Sequence, residues 1–123
     1  MLDLGMEKIG ELAIVDCRGR IVRSEAVLKL SQAVTSLEDF KIIVLDLSGV
    51  SAIEDGGIGI LLFLLHWARD HQIQIKVFNP RKSVRDRLEL ANWILPLHVA
   101  SLEEMMLLLA QFGNPLRRAA GAE

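Results

Sequence analysis

Residues 42–62 read IIVLDLSGVSAIEDGGIGILL. The first six form an apolar run broken only by Asp46, the pattern of a strand buried on both faces. From Ile58 the apolar residues return at helical spacing and continue to about His71. Between the two runs, residues 48–59 join strand to helix with two acids, Glu54 and Asp55, and two adjacent glycines, Gly56 and Gly57. Strand-to-helix junctions hold the phosphate loops and ligand crevices of many α/β proteins, so fold and chemistry are read together here.

Working outward, residues 2–9 and 12–18 read as two short strands around a tight turn at Gly10. Ser24 is an N-cap for a helix carrying Ala26, Val27, Leu30, Ala33, Val34 and Leu37 at helical spacing. Beyond the middle helix, residues 73–78 alternate as a fourth strand, and Asn79-Pro80 is read as N-cap and first helical residue of a helix to about Asn92. Residues 95–99 form a short strand, and Ser101 with Glu104 is a capping box opening a last helix closed by Gly113 and Pro115. The order β-β-α-β-α-β-α-β-α predicts a single α/β domain over residues 1–113, with a mixed, mostly parallel sheet and packed helices. Residues 114–123 carry no periodic pattern and are expected to be a flexible tail.

The chemistry of the junction is mostly excluded. After Gly57 and Gly59, the third glycine of a dinucleotide loop would fall at Leu62, and no Gly-Lys-Ser/Thr follows for a P-loop. Asp55 as helix N-cap, with glycines easing the turn, is sufficient. Glu54 and Asp55 are adjacent in sequence and so point apart, which argues against a paired acid/base site. His66, His71 and His98 lack metal-ligand spacing and are expected to face solvent, and no Gly-x-Ser-x-Gly elbow is present. The lone Cys17 reads as a small strand residue. No enzyme, cofactor or metal is implied.

A net charge of -2 does not draw the chain to nucleic acid, and Arg81, Lys82, Arg85 and Arg87 read as a solvated helix face, Arg117 and Arg118 as a charged tail. No secretory signal is visible, and the longest apolar run falls short of the roughly 20 residues that span a bilayer. A cytoplasmic location without membrane insertion is expected. On the middle helix, Ile58, Leu61, Leu64, Leu65 and Ala68 form one arc that Ile60, Phe63 and Trp67 widen to about 220°, against the ~100° a surface helix needs. Either flanking helices cover the excess, or it is a surface for a partner or a second copy.

This pattern resembles the STAS domain family, the fold of bacterial anti-sigma-factor antagonists. The resemblance covers about residues 5–112, and its core is the quoted stretch, where the family has an apolar strand, Asp-Leu-Ser-x-Val and then Asp-Ser-Ser/Thr-Gly-x-Gly. "NPRKSVRDRLELANW" and "LHVASLEEMM" resemble the family's third helix and last strand-helix unit. The resemblance implies a domain whose second motif Ser/Thr is phosphorylated by an anti-sigma factor that is also a protein kinase, the phosphorylated form no longer binding it. Here Glu54 matches the family's Asp, Asp55 its first Ser, and Gly56 the phosphorylated residue. Gly56 has no hydroxyl. In the neighbouring loop, Val22 stands where the family often has an acid, flanked by Arg20 and Arg23. If the two strands are neighbours, these arginines are placed to neutralise Glu54 or Asp55.

The reading is a non-enzymatic regulator that binds an anti-sigma factor or serine-kinase-like protein through Glu54, Asp55, Gly56, Gly57 and Ile60, with Arg20 and Arg23 beside them. A structural STAS subunit of a signalling scaffold or membrane-transport ATPase complex is the first alternative, and a small-ligand sensor the second.

Overall fold

The computed structural model describes residues 2–21 and 25–113. Nine elements follow in the expected order: β1 (Leu2–Ile9), β2 (Leu12–Ile21), α1 (Glu25–Thr35), β3 (Ile42–Ile53), α2 (Asp55–Asp70), β4 (Gln74–Phe78), α3 (Lys82–Leu90), β5 (His98–Ala100) and α4 (Leu102–Gly113). The strands lie in one sheet in the order β1-β2-β3-β4-β5. β1 runs antiparallel to β2, and the remaining pairs are parallel. Ser24 and residues 114–123 lie outside the described residues.

Alternation along the strands sorts the core into two unequal layers. Ala13, Val15 and Cys17 of β2, Ile43, Leu45 and Leu47 of β3, and Ile75 and Val77 of β4 share one cluster with α1, α2 and α3. α1 contributes Ala26, Leu30, Val34 and Leu37, spaced three or four apart as one helix face requires. On the other face α4 lies over Leu12, Val44 and Ala100, burying Met105 with Leu108 and Phe112 packed against it.

β2 runs on to Ile21 where the sequence reading stopped at 18, and three further boundaries differ for identifiable reasons. β3 continues past Leu47 to Ile53, because Gly49 admits a bulge: its register with β2 shifts between Asp16 and Arg18, and a Cβ at Gly49 would stand 2.9 Å from the Cys17 carbonyl oxygen. Asn79 is not a helix cap. It takes a left-handed φ of 53°, a conformation Asn tolerates, and α3 starts later with Arg81 at its N-cap. β5 is His98–Ala100 because residues 94 and 95 are held in a turn, both N–H groups donating to the Ala91 carbonyl. The Ser101 capping box forms as expected: the Glu104 N–H donates to Ser101 Oγ at 3.1 Å and the Ser101 N–H to Glu104 Oε1 at 3.4 Å.

Candidate functional site

The quoted stretch brings its two acids to the carboxyl end of the parallel strands, where α/β sheets hold their ligand crevices. The bulged end of β3 is fixed from within. Asp46 Oδ1 accepts both the Ser48 N–H at 3.0 Å and the Ser48 hydroxyl at 2.7 Å, and Arg81 Nε donates to the Ser48 carbonyl at 3.0 Å. The Glu54 N–H then continues the ladder to the Ile21 carbonyl at 3.1 Å, and α2 begins with Ile58 N–H bonded to the Glu54 carbonyl at 2.9 Å.

Glu54, not Asp55, is the N-cap residue of α2, and its side chain makes no capping bond. Asp55 is the first helical residue, where the helix dipole favours a carboxylate without a cap geometry. Gly57 is buried in this first turn. A Cβ there would collide with the Ile21 carbonyl oxygen and stand 2.8 Å from Ile53 Cγ1. Glycine at 57 is thus what lets the helix start press on the ends of β2 and β3.

Each acid is held by an arginine from a different element. Arg20, near the end of β2, reaches Glu54 with Nη2 3.4 Å from Oε1, as the parallel pairing of Ile21 with Ile53 allows. Arg87, on α3, pairs with Asp55. The Asp55 side chain is 98% exposed while Arg87 is only 38% exposed, so the guanidinium lies along the protein and the carboxylate stands outward over it. Ile53, Glu54, Asp55, Gly56 and Arg87 line an open depression of ≈ 550 Å³.

Of the residues singled out in the sequence, Arg20, Glu54, Asp55, Gly56 and Gly57 come together here. Arg23 lies outside the described residues. Ile60 does not reach the surface: it is 8% exposed and belongs to the main core, so it supports the loop from beneath. Arg87 was read as part of a solvated face. Its 32-residue separation from Asp55 leaves no local sequence signal, and only the helix-over-sheet arrangement joins them. The wide apolar arc of α2 is mostly covered, with Ile58, Ile60, Leu61, Leu64 and Leu65 buried and Trp67 stacked on His71 at 4.7 Å between ring centroids. Phe63 alone of that arc is half exposed.

The remaining titratable features lie elsewhere. Cys17 is buried and its thiol is pushed up to about 12, first by desolvation and then by the charges of Asp16 and Asp46. The hydrogen bond between His98 Nε2 and Glu104 Oε2, 2.6 Å long, is the main reason the Glu104 carboxyl is held below its usual value. Among the described residues, no group of three or more His, Cys, Asp or Glu side chains is placed to hold a metal ion, and no helix is long and apolar enough to cross a membrane.

The fold is shared with known structures. The anti-sigma factor antagonist SpoIIAA in its unphosphorylated form superposes with a TM-score of 0.69 at 15% identity, over 85% of this chain and 93% of that one. An anti-sigma factor antagonist from Mycobacterium paratuberculosis gives 0.69 at 18% identity, over 88% and 93%. An RsbS variant from Moorella thermoacetica gives 0.68 at 13% identity, over 89% and 97%. No curated protein matches by sequence. The sequence model of the STAS domain matches residues 4–99, from β1 into β5. The chain therefore belongs to the STAS domain family.

Proposed function

We propose that this STAS domain acts by binding another protein through the start of α2, as an anti-sigma-factor antagonist whose partner is an anti-sigma factor of serine-kinase type. On this reading it works in the cytoplasm, without a cofactor, and is not switched by phosphorylation at the usual position. The observation that carries the reading is the fixed, outward-standing Glu54-Asp55-Gly56 loop on a fold shared with such antagonists. Gly56 offers no hydroxyl, and each neighbouring carboxylate is already paired with an arginine. A phosphate would add about -1.5 to -2 charges and three acceptor oxygens. A carboxylate held by Arg87 supplies far less, so the loop imitates the unphosphorylated, binding-competent state.

The test is a pull-down of the tagged chain from its native cell, with Asp55→Lys as the control. Recovery of a kinase-like anti-sigma factor by the parent and its loss by the variant supports the reading. Equal recovery by both would sink it. A second reading, a subunit built permanently into a larger scaffold, draws on the exposed apolar side chains Leu90, Trp93, Leu102 and Met106. A non-exchanging assembly indifferent to Asp55→Lys would select it.

A further inference from the structure

The charges of α3 fall into two groups. Lys82 pairs with Asp86 at 3.1 Å, and Arg87 pairs with Asp55 on α2. Among the described residues, Arg85 and Glu89 are the charges of this helix that make no ion pair. They stand one turn apart with Arg before Glu, the weaker order for a pair within one helix. The 3.6-residue period puts Arg87 on the opposite side of α3 from both.

Arg85 and Glu89 instead line a groove of ≈ 360 Å³, together with Leu88, Leu95, Leu97 and Val99. The groove lies between α3 and β5, the last strand of the sheet. α4 starts here, with Ser101 in the lining, and ends with Gly113 beside Ile9 of β1, at the far edge. Trp93 follows α3 in the turn between two lining residues, Asn92 and Leu95, and is 83% exposed.

An apolar groove that carries one cation and one anion, beside an outstanding indole, is complementary to a second copy of itself. A two-fold axis across α3 runs the two helices antiparallel and sets Arg85 of each copy against Glu89 of the other. The same register carries each Trp93 toward the Arg85 end of the other copy's groove, and tryptophan is among the strongest interface anchors. We propose that two copies of this chain pair in this way, through α3 and the groove beside it. The proposal stands apart from the reading of the α2 loop, which draws on other residues.

The experiment is sedimentation equilibrium of the full chain over a concentration series, in which the parent should distribute between monomer and dimer. Arg85→Glu and Glu89→Arg should each weaken the dimer about tenfold, because each places two like-charged pairs in the interface. Combining the two reversals should restore the parent's affinity, a rescue that misfolding of the single variants could not give. Trp93→Ser should weaken the dimer about 30-fold or more, while Phe63→Ser on α2 should leave it unchanged. A monomer at every concentration would overturn the proposal, and so would a dimer indifferent to the reversals and to Trp93→Ser. Trp93 fluorescence, read in Trp67→Phe, should shift to the blue only as the dimer forms. A blue-shifted monomer would also overturn the proposal, since the groove would then be filled from within its own chain.

Discussion

The two faces of the sheet use the same strands to different ends. Among the described residues, one face holds three helices and nearly all the large buried side chains; the other holds α4, whose Met105 joins Leu12, Val44 and Ala100 in a smaller buried cluster. The difference is legible in exposure: Leu61 and Leu64 of α2 are 1% and 0% exposed, whereas Leu102, Met106 and Leu107 of α4 are 66%, 62% and 64% exposed. On the first face the start of α2 is seated against the ends of β2 and β3, with Gly57 against the Ile21 carbonyl. Among the described residues the second face buries less and contributes less to stability.

Core truncations should expose this contrast most strongly. Leu64→Ala is expected to destabilise by about 3–5 kcal/mol, and Met105→Ala, on the second face, by about 2 kcal/mol, both read from denaturant midpoints. Equal losses would mean that the faces carry equal loads. The glycines of α2 sharpen the comparison at a finer scale. Gly57→Ala should cost about 1–3 kcal/mol by driving the helix start off the Ile21 carbonyl. Gly59→Ala, with nothing within 4 Å of the added carbon, should stabilise by up to about 1 kcal/mol. Thermal melts of the two variants moving in opposite directions would confirm that 57 is a contact position and 59 is not.

The order of elements was readable because hydrophobic periodicity changes cleanly between strands and helices along residues 2–113. The misplaced boundaries fall where tertiary contacts override local preference. The extension of β3 through Ser48 and Gly49 depends on the bulge against β2, and the start of α3 depends on the left-handed turn at Asn79. The candidate site was half legible. Arg20 and Glu54 meet because adjacent strands bring them together, and that pairing could be posed from sequence. Arg87 could not be placed beside Asp55 without the packing of α3, and Ile60 reads the same on a helical wheel whether it is exposed or covered.

Smaller effects are expected at the charges. Arg87→Ala should cost less than about 1 kcal/mol of stability, since the pair is solvent-exposed, yet on the proposed function it should change partner affinity more than folding; a titration alongside a melt separates the two. Across the sheet, Glu104 contributes stability that is fully present above the carboxylate range of the unfolded chain. The contribution is lost as pH falls through the lowered folded-state value. As pH falls below the ordinary carboxylate range the parent should therefore lose stability that Glu104→Gln does not. Parallel acid limbs in the two proteins would show that the bond from His98 contributes nothing.

Because the five strands lie in the sheet in the order in which they are synthesised, the growing chain never has to hold a gap open for a later strand. The β1–β2 hairpin is available first, and each later strand adds to an edge already in place, one crossover at a time. Every pairing joins strands that are neighbours in sequence, through one helical crossover at most, so no closure spans more than one connection. Strand edges are thus covered soon after they emerge from the ribosome, limiting their chance of meeting another nascent chain.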